Sequence, residues 1–180
     1  MIGPSKRNQT LRALWLAALV LMSAASSAQT VLERAARDEL VFMRDEEPAM
    51  RKAFARAAAT LDDFLAKARA LSSQHSSFSL KVAVSQGDNT EYFWVNDFAE
   101  KADGSFEGAI GNEPRIVKTV KLGQRYAFPR ERIVDWLYVD RAERRMVGNF
   151  TLCALLTKES RAEAEAVKQR FKLDCDWLVQ

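Results

Sequence analysis

The run Phe78-Ser79-Leu80-Lys81-Val82-Ala83-Val84-Ser85-Gln86-Gly87-Asp88-Asn89-Thr90-Glu91-Tyr92-Phe93-Trp94-Val95 decides the fold. Phe78, Leu80, Val82 and Val84 alternate with Ser79, Lys81, Ala83 and Ser85, the period of two of a strand with one face buried and one face polar. Gln86-Gly87-Asp88-Asn89 supplies the turn residues that return the chain into a second run, Thr90 to Val95. The pair reads as a β-hairpin.

Towards the C-terminus the same punctuation repeats. Lys101 to Ser105 is a turn before Phe106 to Ile110, and Gly111 to Pro114 breaks that strand. Such short links imply sequential antiparallel strands. Ile116 to Leu122 fits neither period cleanly, reading as a strand or a short helix that Gly123 closes. Tyr126 to Phe128, Ile133 to Val139 and Met146 to Leu155 read as further strands, with Asp140 to Arg145 a charged connection. Ser160-Arg161-Ala162-Glu163 is a capping box, in which the Ser and Glu side chains satisfy each other's backbone donors, and it opens a helix to about Phe171.

Towards the N-terminus, Pro48 suits the first position of a helix and Glu46 and Glu47 place negative charge at its start. Phe54, Ala57, Leu61, Phe64, Leu65, Ala68 and Leu71 then share one face, so residues 48 to 71 form an amphipathic helix. The Ser-rich stretch 72 to 77 ends it. Leu40 to Met43 could be an edge strand, and residues 30 to 38 a frayed helical turn or leader. The expected class is α+β: a curved antiparallel sheet of five or six strands with an N-terminal and a C-terminal helix.

Residues 1 to 28 set the compartment. Lys6, Arg7 and Arg12 form a basic head, Ala13 to Met22 is unbroken and apolar, and Ser26-Ser27-Ala28 offers small residues for cleavage, the pattern of a secretory signal peptide. Ten apolar residues make roughly 15 Å of helix, about half of a bilayer core, so no stable membrane anchor is expected after cleavage. The organisation expected is a signal peptide (1–28), a leader with a possible edge strand (29–45) and one α+β domain (46–180). The full chain carries 27 Lys+Arg against 24 Asp+Glu, but three of the basic residues lie in the signal, so the remainder balances. Nucleic acid as a partner is therefore disfavoured, since it needs a clustered basic face.

Cys153 and Cys175 are the only cysteines. An even pair in an oxidising compartment forms a disulfide, tying the C-terminus back onto the preceding strand and removing both sulfurs from nucleophilic or metal chemistry.

Five short motifs, Glu91 to Val95, Gly108 to Pro114, Val117 to Gly123, Asp135 to Val139 and Gly148 to Thr151, occur in an order that resembles the YegJ-like family of small bacterial proteins. The resemblance extends from about Val41 to Cys175, with a signal peptide ahead of it; one departure is Leu137, where Met is common. That family is a domain of unknown function, so the resemblance supports fold and secretion and transfers no catalytic residue.

Direct chemical motifs are absent. The single His75 excludes a multi-histidine metal site, no Ser stands in a G-x-S-x-G elbow, and no phosphate-cradling loop or dinucleotide fingerprint occurs. No catalytic residue, metal or cofactor is expected. The candidates for binding are polar and aromatic residues within apolar motifs. Asp135, flanked by Ile133, Val134, Trp136 and Leu137, must find donors, as a buried cap or in an ion pair with Lys118, Lys121 or Arg132. Asn112 and Glu113 sit in a turn ahead of Pro114. Trp94, Trp136 and Tyr138 either pack beneath the helix, which is preferred, or form an aromatic platform.

These residues support an exported non-enzymatic binding or protein-interaction module, its partner an unknown envelope protein, a peptide or a glycan. An immunity-like inhibitor is a variant of the same reading. A cell-envelope hydrolase using Glu113 and Asp135 is the alternative, and it needs the two carboxyls roughly 5–9.5 Å apart across a cleft.

Overall fold

A computed structural model describes residue 45 and residues 47–70 and 72–178. The expected signal peptide, the 30–38 turn, the Leu40 to Met43 strand and Leu71 lie outside the described residues. The element order is α1 (Pro48–Arg69), β1 (His75–Gln86), β2 (Asn89–Glu100), β3 (Phe106–Ile110), β4 (Arg125–Phe128), β5 (Ile133–Asp140), β6 (Arg145–Gly148), α2 (Phe150–Leu156) and α3 (Arg161–Phe171), with single 3₁₀ turns at Arg130–Arg132 and Asp176–Leu178. All neighbours in the sheet run antiparallel, in the order β4-β3-β2-β1-β5-β6. The α+β class and the six-stranded sheet are as the sequence implies.

The core lies between α1 and one sheet face. Pro48 starts the helix, Lys67 and Arg69 complement the dipole at its end, and Met50, Ala53, Ala57, Leu61, Phe64 and Leu65 are buried. They meet Leu80, Val82 and Val84 of β1 and Phe93 and Val95 of β2, all fully buried or nearly so. Each large side chain removed from water in this way contributes about 1.5–3 kcal/mol. Trp136 and Tyr138 share this face, because Leu80 pairs with both Val95 and Trp136. They are 6% and 7% exposed, and the Phe64 ring stacks on Trp136 with centroids 4.9 Å apart. Trp94 points to the opposite face by strand alternation, whereas the Tyr92 ring reaches Phe54 of α1, with centroids 5.9 Å apart, and its hydroxyl donates to Asp45.

Three expectations are corrected. Met146 to Leu155 is not one strand: β6 stops at Gly148, and Phe150–Leu156 is a helix with every residue buried. Gly148 and Asn149 take left-handed backbone, φ 84° and 54°, and turn the chain off the sheet. Cys153 is therefore on α2, and the Cys153–Cys175 bond, Cα atoms 5.5 Å apart, ties the segment after α3 to a buried helix rather than to a strand. Ile116 to Leu122 is neither strand nor helix. Within the 111–124 connection, Val117 and Val120 are buried while the Glu91 carboxylate accepts the backbone N–H groups of Arg115, Ile116 and Val117 at 2.8–3.0 Å. The Ser-rich stretch is shorter than expected, since His75 and Ser76 already pair with Asp140 and Val139 of β5. The capping box at Ser160 and Glu163 forms as the sequence implies, with both reciprocal bonds made.

Candidate functional site

Asp135 is 0% exposed and fully engaged. One carboxylate oxygen accepts the N–H groups of Trp136 (2.8 Å) and Phe150 (3.2 Å), and the other accepts the Thr151 N–H and hydroxyl, both at 2.7 Å. The Lys81 ammonium donates to the same Thr151 hydroxyl at 3.1 Å and lies 4.7 Å from the centre of the Trp94 ring. The charge partner of Asp135 is thus Lys81 on the neighbouring strand, not Lys118, Lys121 or Arg132, and Thr151 relays the contact. Burial pushes the Asp135 carboxyl up from its usual range, while Lys81, Thr151 and Trp136 pull the other way. The arrangement satisfies the first backbone donors of α2 and locks that helix to β5. Its work is architectural.

The other named residues are dispersed. Trp136 donates from its indole nitrogen to the Ala57 carbonyl at 3.1 Å, and Tyr138 packs against Phe78 and His75. Burial also raises the Tyr138 hydroxyl above its ordinary pKa. Neither ring is a platform. Asn112 accepts the Trp94 backbone N–H at 2.9 Å, pinning the turn to β2, and Glu113 is exposed. Asp135, Lys81 and Trp94 are successive partners across three strands, with Asn112 beyond Trp94. At about 4.8 Å per strand that separates the Asn112 turn from Asp135 by roughly 14 Å. The structure does not bring Glu113 and Asp135 together.

A concave site lies elsewhere, where the central hairpin comes apart. The β1–β2 ladder ends at Ser79 opposite Asn96, whose side chains hydrogen-bond at 2.7 Å, although β1 begins four residues earlier and β2 continues to Glu100. Each strand carries one extra residue at this point: Ser76 to Ser79 spans Val139 to Leu137 on β5, and Asn96 to Ala99 spans Ala109 to Glu107 on β3. Both bulges contain a non-glycine residue in left-handed backbone, Ser77 (φ 56°) and Asp97 (φ 48°). The bulges turn each strand toward its outer neighbour. The resulting open cleft of about 660 Å³ is roofed by Leu65, Ala68 and Arg69 at the end of α1 and walled by the parted strand ends, and Phe106 also lines it. Arg69 and Glu100 form an ion pair at its edge.

None of the candidate binding residues, Trp94, Asn112, Glu113, Asp135, Trp136 and Tyr138, lines this cleft. Its sequence signal was faint: the strand pattern of β1 is interrupted at Ser76-Ser77 and that of β2 at Asn96-Asp97, polar pairs that can as well end a strand as bulge it. Among the described residues, no group of three or more His, Cys, Asp or Glu could hold a metal ion, and no helix is long and apolar enough to cross a membrane.

Comparison with known proteins places this fold in context. A family model described as an uncharacterised protein conserved in bacteria (DUF2314) matches residues 47–175. The uncharacterised protein YegJ of Escherichia coli (strain K12) is 32% identical over 94 residues, which is 52% of this chain and 60% of that protein's length. No solved structure matches.

Proposed function

The chain belongs to this DUF2314 family of bacterial proteins, and on that premise we propose that it is an exported, non-enzymatic binding module whose ligand site is the cleft between β1, β2 and the end of α1. The observation that carries the reading is the pairing of the cleft with two left-handed non-glycine residues, Ser77 and Asp97, in adjacent strands of its wall. Such backbone costs on the order of 1–3 kcal/mol per residue, and strain of that size is concentrated at binding and switching sites. Export is supported by the basic and apolar pattern of residues 1–28 and by the Cys153–Cys175 disulfide, a bond of oxidising compartments. The carboxylate pair of the hydrolase alternative is separated, one member is consumed by structure, and neither lines the cleft, whose own acidic residues are Asp97 and a Glu100 held by Arg69.

The test is capture from envelope extract by the exported form of the protein, comparing the native chain with Ala68→Trp, which fills the cleft, and with Thr119→Ala, on an exposed position of the distant 111–124 connection. A partner held by the native chain and by Thr119→Ala but lost with Ala68→Trp supports the reading. Equal retention by all three, or turnover of a peptidoglycan fragment by the native chain, overturns it. A retained partner that proves to be a secreted toxin would specify the module as an inhibitor.

A further inference from the structure

We propose that the ligand of this cleft is an extended polypeptide segment, held by main-chain hydrogen bonds to the parted ends of β1 and β2 with one apolar side chain lodged under α1. This rests on the cleft being the binding site and names what it takes. The first argument is the backbone. The residues of β1 before Ser79 pair outward with β5, and those of β2 after Asn96 pair outward with β3, so two strand ends face each other with no β1–β2 ladder between them. A strand edge presents donors and acceptors at a repeat that only another extended chain matches, which is how peptides add to sheets.

The second argument is the aromatic lining, which disfavours a sugar. Stacking on a sugar needs a free ring face, but Phe98 stacks on Phe64 with centroids 5.9 Å apart, and Phe78 lies against Tyr138 at 5.4 Å and Phe64 at 5.7 Å. What remains toward the cleft is half-buried ring surface beside Leu65, suited to an aliphatic or aromatic side chain entering from the open side. The third is size: about 660 Å³ lies within the range of sites that hold a small ligand or a few residues of chain.

The probe is a phage-displayed library of random 12-residue peptides, selected on the full exported chain and counter-selected on Ala68→Trp. Enriched sequences are then made as synthetic peptides, plain and with alternate backbone nitrogens methylated. The expected result is binding weakened at least about tenfold by Ala68→Trp, by Ala99→Trp as a second cleft-filling change on an exposed strand position, and by methylation of one set of alternate nitrogens but not the other. Amide exchange at Ser77, Phe78, Asp97 and Phe98 should slow on binding. No enrichment over the counter-selection, or peptides indifferent to both cleft variants and to methylation, overturns the peptide assignment. If envelope capture still depends on Ala68 in that case, the binding-module reading survives and only the ligand class falls.

Discussion

Replacing Asp135 by Asn changes almost no volume and tests whether the buried carboxylate holds α2 to the sheet. All four groups that reach Asp135 are donors: three backbone N–H groups and the Thr151 hydroxyl. An amide can accept on one side only, so its NH₂ must face either the Trp136 and Phe150 N–H groups or the two Thr151 donors. Turning the Thr151 hydroxyl relieves one of these conflicts and leaves at least one buried backbone N–H without an acceptor, at about 1–3 kcal/mol. The substitution also removes the negative charge that Lys81, 4% exposed, reaches through Thr151, and breaking a buried pair from one side costs about 3–5 kcal/mol in total. We therefore expect Asp135→Asn to lower unfolding stability at neutral pH by about 3–5 kcal/mol in urea titrations, with m unchanged. Combined with Lys81→Met, the loss should fall short of the sum of the single changes, since the second removal relieves the first. A loss below about 1 kcal/mol for Asp135→Asn, or strict additivity, would refute the account of α2 anchoring.

Four further outcomes follow from particular contacts. Thr151→Val, which keeps shape and loses the relay hydroxyl, should cost about 1–3 kcal/mol in the same titration, whereas Thr151→Ser should cost under about 1 kcal/mol. Replacing both cysteines, as Cys153→Ala with Cys175→Ser, should cost about 2–4 kcal/mol, because the bond closes a loop of 22 residues, and should free the segment after α3 to exchange its amides. Gly148→Ala should destabilise by about 2–4 kcal/mol and release β6, since its Cβ would stand 2.2 Å from the Trp136 carbonyl oxygen on a backbone of φ 84°. Glu107, held by Lys101 and then Arg125, should titrate by NMR below the ordinary 4.5; its contribution to stability is present above that value, is lost as pH falls through the lower folded value, and fades in high salt.

What was legible in the sequence follows from which signals are local. The first helix declared itself through Pro48 and an apolar stripe, and the third through its capping box, because both are contained within one turn or one face. The hairpin and its successors declared themselves through alternation. Phe150 to Leu156 misled because a helix buried on every side has no polar face to show a period of 3.6, and β-branched and aromatic neighbours made it continue β6. The partner of Asp135 misled for a different reason. Lys81 lies 54 positions earlier and reaches it through strand pairing and a third residue, Thr151, so no local spacing connects them. For Trp136 and Tyr138 packing follows from their place beside Leu80 and Phe64, which are themselves core.

The cleft was the least legible feature, and the reason bears on how it works. A bulge is one extra residue in a ladder, invisible until the partner strand is known, and here two bulges act together because β1 and β2 each have a second neighbour to follow. Their backbone strain should be separable from their function. Ser77→Gly removes the steric cost of φ 56° at the expense of a more flexible unfolded chain, for a net gain of about 0–1 kcal/mol. Asp97→Gly should gain less, since Asp tolerates left-handed backbone better than Ser. If the bulges exist only to relieve sheet twist, either glycine should leave ligand capture untouched. If they hold the two strand ends apart in a fixed geometry, the more stable Ser77→Gly protein should capture its partner less well, a rise in melting temperature accompanied by a fall in affinity. An unchanged affinity in the stabilised variant would break the link between the strained backbone and the site.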